Sequence, residues 1–290
     1  MMLDPRLNAY RADLADARLR RLVAAPRYVE GEVRRVVVGR APVRCSVAPR
    51  AETATFCHYG ERVLVFEEAG GQAWCQSLFD GYVGYVEIGH VATCAVAAPT
   101  AFVATMGSYC YAAPDLRSAT TDFLPRHGAV VVSESGLLTR GTEYVRLDTG
   151  SYLPLACLSP HPPRSPDIVA AAALYLGCPY LWGGRSWLGI DCSGLVQNAF
   201  HDIGVTVLRD TDLQRDSIGD AVPAAGQADL RRGDLLYLPG HVLIYAGDGA
   251  VIHADGASMT VRRDNLSERL RERGLDIAGL VVRRHLRAES

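Results

Sequence analysis

Residues 179–197 read Pro-Tyr-Leu-Trp-Gly-Gly-Arg-Ser-Trp-Leu-Gly-Ile-Asp-Cys-Ser-Gly-Leu-Val-Gln, with the cysteine at position 192. After Cys192, apolar residues fall at Leu195, Val196, Ala199, Phe200 and Ile203, and Gly204 closes the run. That spacing is one face of a helix with a glycine stop, so Cys192 is expected in the first turn. There the unpaired backbone N–H groups and the positive end of the helix dipole favour a thiolate, and a lowered thiol pKa is expected. The glycines upstream allow a substrate to approach the backbone closely. A lone cysteine can equally be a buried structural thiol, so its partners decide.

A cysteine nucleophile needs a base, usually His, and a group that orients it. Of the eight histidines, His58, His90, His127, His161, His201 and His285 lie in loops, linker or charged surroundings, where surface positions are expected. His241 and His253 differ, because they sit in two apolar strands around Gly247-Asp248-Gly249, a hairpin signal. With those three residues as the loop, 246 faces 250 and His241 faces Asp255, which puts His253 diagonal to His241 on the same face. A two-residue loop would turn His253 to the other face. Diagonal neighbours lie roughly 7–8 Å apart between Cα atoms, near enough for two imidazoles to bond.

Outward from this stretch, residues 167–290 read as an α+β domain: an Ala-rich helix over 167–177, a Gly-rich loop, the Cys192 helix, then strands. Residues 159–167, SPHPPRSPD, hold four prolines, and 159–166 read as a stiff linker. Upstream, short β-rich runs such as VRRVVVG, ERVLVFEE and GYVGYVEI, punctuated by Gly and Pro, predict small barrels. Gly60-Glu-Arg-Val-Leu-Val returns as Gly128-Ala-Val-Val-Val-Val, and Tyr85-Val86 returns as Tyr152-Leu153, so two copies of one barrel are expected, over 31–97 and 98–158. In residues 1–30, Leu7, Tyr10, Leu14, Leu19 and Leu22 recur at roughly helical spacing, predicting a short helical arm.

Composition narrows the function. The chain has 290 residues, 49% hydrophobic and 21% charged, an ordinary globular balance that excludes wholesale disorder. A net charge of −2 gives no footprint for nucleic acid, and all 30 basic residues are Arg. The eight cysteines (45, 57, 75, 94, 110, 157, 178, 192) form no CxxC pair and have irregular gaps, so zinc-ribbon and thioredoxin readings lack support. The charged opening residues form no apolar leader, so a cytoplasmic protein with reduced thiols is expected. Residues 91–114 and 168–184 lack charge but are broken by Pro99, Gly177 and Pro179, whereas a membrane span needs roughly 20 predominantly apolar residues.

Asp191-Cys-Ser-Gly-Leu-Val-Gln197, Arg232-Gly-Asp-Leu235, Gly240-His-Val242 and Ile252-His-Ala254, in that order, resemble the NlpC-type cysteine peptidases of bacterial cell-wall metabolism. The resemblance covers about 167–285 and implies a papain-like core. It implies Cys192 as nucleophile, His241 as base and then acid, His253 as the orienting third residue, and Tyr180 as an oxyanion donor. The upstream barrels resemble bacterial SH3-like domains, and the whole resembles the γ-D-glutamyl-L-diamino-acid endopeptidases that act on murein peptides with a free N-terminal L-Ala. That subgroup implies Asp191 as partner of the substrate amine, and Ser193, Trp182, Asp210 and Thr211 as further substrate contacts. It also implies Tyr82 and a glutamate, Glu61 or Glu52, from the first barrel. No metal or other cofactor is expected.

Three rivals remain at this stage. A metal site could use Asp191, Cys192, His241 and His253, although no HExxH motif accompanies them. The barrels could make a wall-binding protein with an inactive last domain. An acyltransferase could use the same three residues.

Overall fold

The computed structural model describes residues 3–93, 98–223 and 226–285. They form two compact units that divide between Pro163 and Arg164, inside the proline-rich stretch. Cys94 and the expected barrel boundary at 97 lie outside the described residues.

The first unit is all-β and holds two barrels. The first barrel is a seven-stranded sheet running Thr53–His58, Arg40–Arg44, Val83–Glu87, Gln72–Ser77, Arg62–Ala69, Glu32–Val36 and Val91–Ala92. The second divides its strands between a five-stranded and a three-stranded sheet. The repeat is visible in the hydrogen-bond register. Arg44 pairs with Tyr85, and 67 residues on, Tyr111 pairs with Tyr152. The register shift between Val43 and Arg44 returns at the same offset between Cys110 and Tyr111. Each copy ends in a single 3-10 turn, Ile88–His90 and Leu155–Cys157, that leads into its last short strand. The copies share core: Tyr59 of the first packs with Val103, Leu124, Val130 and Leu153 of the second. Gly60 sits at φ +84°, and a Cβ there would lie 2.1 Å from the Ala129 carbonyl, so only glycine permits this approach.

The helical arm expected over 1–30 is not what forms. Leu14–Asp16 is a strand paired in parallel with Arg27–Val29, and the intervening helical structure is one 3-10 turn, Ala17–Leu19. Aspartates compete with the helix here, since the Asp4 and Asp16 carboxylates accept from the backbone N–H groups two residues on. Tertiary burial decides the rest: Ala9 and Leu14 pack on Phe66 and Trp74, while Leu22 is left 65% exposed. His58, expected at the surface, is buried at the end of its strand.

The second unit is α+β. Its six-stranded antiparallel sheet runs Asp220–Ala221, Val281–Arg284, Leu235–Leu238, His241–Gly247, Ala250–Asp255 and Thr260–Asn265. Among the described residues four helices accompany it: α1 (Ile168–Ala173), α2 (Cys192–Asp202), α3 (Thr211–Ser217) and α4 (Leu266–Glu272). Leu266 and Leu270 of α4 pack with Leu236, Leu238, Leu243, Tyr245 and Val251 of the sheet. No helix among the described residues is long and apolar enough to cross a membrane.

Leu14, completely buried, tests the corrected N-terminal reading. L14A is expected to destabilise the first unit by about 2–5 kcal/mol, read as a lower urea midpoint. A solvated arm would leave the midpoint unchanged.

Candidate active site

Helix α2 begins where the sequence places it. Asp191 is its N-cap, with Oδ1 accepting from the Gly194 N–H at 2.7 Å, and Cys192 is the first helical residue. The helix runs to Asp202, and Gly204 follows at φ +84° as the αL residue past its end. Gly194 is dictated by packing, because a Cβ there would lie 2.2 Å from the Gly184 carbonyl. The Gly-rich loop thus lies directly against the first turn, and Trp182 on it is 60% exposed.

The hairpin brings the two histidines together by a different route from the one expected. Its turn has two residues, Asp248 at φ +51° and Gly249 at φ +74°, flanked by the pair Gly247–Ala250. A register shift between Tyr245 and Gly247 then restores the pairing, and Tyr245 faces Val251 while Ile244 faces Ile252. The bulge stands in for the third loop residue, so both imidazoles share one face. His241 Nε2 lies 2.9 Å from His253 Nδ1, with the rings edge to face. His253 Nε2 in turn lies 3.0 Å from Asp264 Oδ2. All three side chains are almost fully buried.

Cys192 meets this group through the same strand. The backbone N–H of Val242, next to His241, is directed at the cysteine sulfur, as is that of Ser193. With His241 Nε2 engaged by His253, Nδ1 is the ring atom left for the thiol. The electrostatics run opposite to the expectation from the helix dipole. Burial, with the Asp191 charge adding, pushes the Cys192 thiol up to about 12. Burial, with His253 adding, pushes His241 down to about 3. Desolvation penalises both charged forms, so the resting pair is neutral thiol and neutral imidazole. The buried thiols of Cys75, Cys110 and Cys178 are also raised to about 12, so what distinguishes Cys192 is its helix start and its histidine. The Tyr180 phenol is raised to about 12 by burial and by Cys192 and Asp191, which keeps it a hydrogen-bond donor.

Asp191 departs from its expected role. Its carboxylate accepts from the Gly183 N–H (2.8 Å), the Gly194 N–H, the Ser193 hydroxyl (3.3 Å) and both terminal nitrogens of Arg209 (3.0 and 2.6 Å). Five donors meet the roughly four lone-pair positions of a carboxylate, which leaves no room for a substrate amine. Arg209 is 1% exposed and also donates to the Ser193 hydroxyl at 2.7 Å. Gln214 of α3 donates to the Ser193 carbonyl at 3.0 Å. Asp210 and Thr211 open α3 beside this cluster, both half-buried. Tyr82 and Glu61 belong to the first unit, where Tyr82 is buried and the Glu61 carboxylate accepts from the His58 N–H at 3.1 Å. Sequence reasoning missed Arg209 as the partner of Asp191, and it missed Asp264 altogether. Among the described residues, no three His, Cys, Asp or Glu side chains converge as a metal site.

Comparison with known proteins agrees with this arrangement. Residues 177–278 match the model of the NlpC/P60 family, and residues 43–91 match that of the bacterial dipeptidyl-peptidase SH3 domain. The chain is 37% identical over 102 residues to dipeptidyl-peptidase 6 of Lysinibacillus sphaericus, covering 35% of this chain and 36% of the relative. It is 34% identical over 117 residues to γ-D-glutamyl-L-lysine dipeptidyl-peptidase of Bacillus subtilis strain 168, covering 38% of each. These alignments span little more than a third of either relative. A crystal structure of an NlpC/P60 family protein from Bacillus cereus ATCC 10987 superposes with a TM-score of 0.70 at 19% identity, over 88% of this chain and all of that one. At that identity the likeness speaks for the fold. The chain carries an NlpC/P60 domain, preceded in sequence by a bacterial SH3 domain.

Two outcomes follow from the site. R209A strands a buried carboxylate and is expected to cost about 3–5 kcal/mol in chemical denaturation of the full chain; a loss under 1 kcal/mol would mean the pair is solvated. A raised thiol pKa means that thiolate accumulates only as pH rises. The rate of Cys192 alkylation by iodoacetamide should therefore climb continuously from pH 6 to pH 9, whereas a plateau between pH 5 and pH 7 would reveal a preformed thiolate.

Proposed function

We propose that the protein is a cysteine peptidase that hydrolyses the bond between γ-D-glutamate and a diamino acid, meso-diaminopimelate or lysine, in murein peptides. The observation that carries this reading is the buried pair His241 and His253, 2.9 Å apart, on a hairpin whose Val242 N–H is directed at the sulfur of Cys192 at a helix start. The names of the relatives, γ-D-glutamyl-L-lysine dipeptidyl-peptidase among them, support the substrate class.

In this reading the proton of Cys192 passes to His241 Nδ1 as the sulfur attacks the γ-carbonyl carbon. The oxyanion accepts from the Cys192 N–H and the Tyr180 phenol, and each such donor can contribute roughly 3–4 kcal/mol to the transition state. His241 then protonates the departing amine, leaving a thioester on Cys192. A water, deprotonated by His241, attacks that thioester and returns the thiol. Trp182, exposed on the Gly-rich loop, and Thr211 at the start of α3 supply contacts along the peptide. With Asp191 held by Arg209, the N-terminal amine of L-Ala falls to Asp210, which adjoins Arg209 in the chain. Action on released peptides, in turnover inside the cell rather than on intact wall, completes the proposal.

Mass spectrometry of a free L-Ala-γ-D-Glu-meso-diaminopimelate digest tests it. Wild type is expected to release L-Ala-D-Glu and C192A to release none, with the N-acetylated peptide cleaved slower by a factor on the order of 100. A C192A variant with full activity would refute the catalytic assignment. Equal kcat/KM for free and blocked peptides would refute the role of the amine, and faster attack on intact sacculi would refute the turnover role.

A further inference from the structure

We propose that Asp264 is a fourth, positioning member of the site, setting through His253 the ring nitrogen from which His241 accepts the Cys192 proton. The inference rests on the peptidase reading above and deepens it.

The argument follows the hydrogens. An ionised carboxylate can only accept, and Asp264 Oδ2 stands 3.0 Å from His253 Nε2. That contact is a hydrogen bond only when Nε2 of His253 carries the proton. In a neutral ring, Nδ1 of His253 is then a bare lone pair. The 2.9 Å contact to His241 Nε2 is satisfied only when His241 also carries its proton on Nε2. Nδ1 of His241 is thereby left bare, which is the state a base needs. Reversing the first hydrogen reverses both rings and leaves His241 with a proton where it should have a lone pair.

Asp264 is built to remain a carboxylate. Arg262 Nε donates to its Oδ1 at 2.6 Å, and Arg269 Nε lies 3.4 Å from its Oδ2. Burial by itself would push the acid up, but the bonds from His253 and Arg262 overcome it and hold Asp264 below the usual carboxylate range. Arg269 comes from α4 and also grips Asp255 at 2.9 Å, so helix, strand end and carboxylate are fixed together. Asp264 touches neither Cys192 nor any atom that reacts, and its action passes through His253.

The test pairs kinetics with imidazole tautomers read by two-bond 15N–1H NMR, on full-length wild type, D264A and D264N, with R263A, at an exposed residue of the same strand, as the comparison. In wild type both His241 and His253 are expected to carry the proton on Nε2. In D264A and D264N that preference should be lost, and kcat should fall on the order of 100-fold while KM changes less than about threefold. R263A should keep the tautomers and stay within about threefold of wild-type kcat. Tautomers that persist in D264A, or D264A with wild-type kcat, would overturn the inference, whereas a merely structural role would lower Tm and leave the tautomers alone. Because the NMR readout needs no substrate, a wild type inactive on murein peptides would refute the peptidase reading, whereas tautomers that ignore Asp264 would refute its positioning role alone.

Discussion

The carboxylate of Asp191 is where the second unit is held together. It caps the start of one helix, anchors one loop and neutralises one buried guanidinium: Gly194, Gly183 and Arg209 all donate to it. Each partner alone would be costly. A buried Arg209 without an anion, or an uncapped first turn packed against a loop, would leave polar groups away from water with nothing to bond. Together they fix the direction in which α2 starts, and Cys192 follows from that direction with no freedom of its own. Gly194 completes the constraint, since the loop carbonyl occupies the space a side chain would need.

The site built on this anchor is quiet at rest. Desolvation favours the neutral forms of both thiol and imidazole, so in the proposed reaction charge arises only when a substrate carbonyl accepts the sulfur's electrons. Behind His241 the chain of bonds through His253 ends on the Asp264 carboxylate, which in the proposed reaction supplies the polarity for that step. Two arginines from different elements hold that carboxylate, which places the ionic part of the machinery away from the reacting atoms.

Much of this was legible in residue spacing. The start of α2 and the pairing of the two histidines followed from periods of 3.6 and 2, because both elements are amphipathic or apolar enough for pattern to decide. The hairpin reached its expected register by a bulge at Ala246, a local event that leaves no mark in the sequence. Asp264 escaped because its strand is reached through the turn after Asp255, whose pairing with Thr260 no pattern fixes. Asp191 was given a substrate because its charge is visible while its partner, 18 residues on, is not. The thiol was misjudged in direction because the helix dipole can be read from sequence and the degree of burial cannot. The N-terminal residues misled for a related reason: their apolar spacing is helical, but aspartate-centred turns and the packing of Leu14 outweigh it.

The chain contains arginine and no lysine. Every ion pair named above therefore has a guanidinium as its cation, and the guanidinium does not deprotonate in ordinary buffers. The ion pairs that hold Asp255 and Asp264 are consequently indifferent to alkali and sensitive to acid. Tolerance to pH is one-sided by construction: on the acid side the carboxylates fail first, and on the alkaline side the cations outlast the buried phenols and thiols.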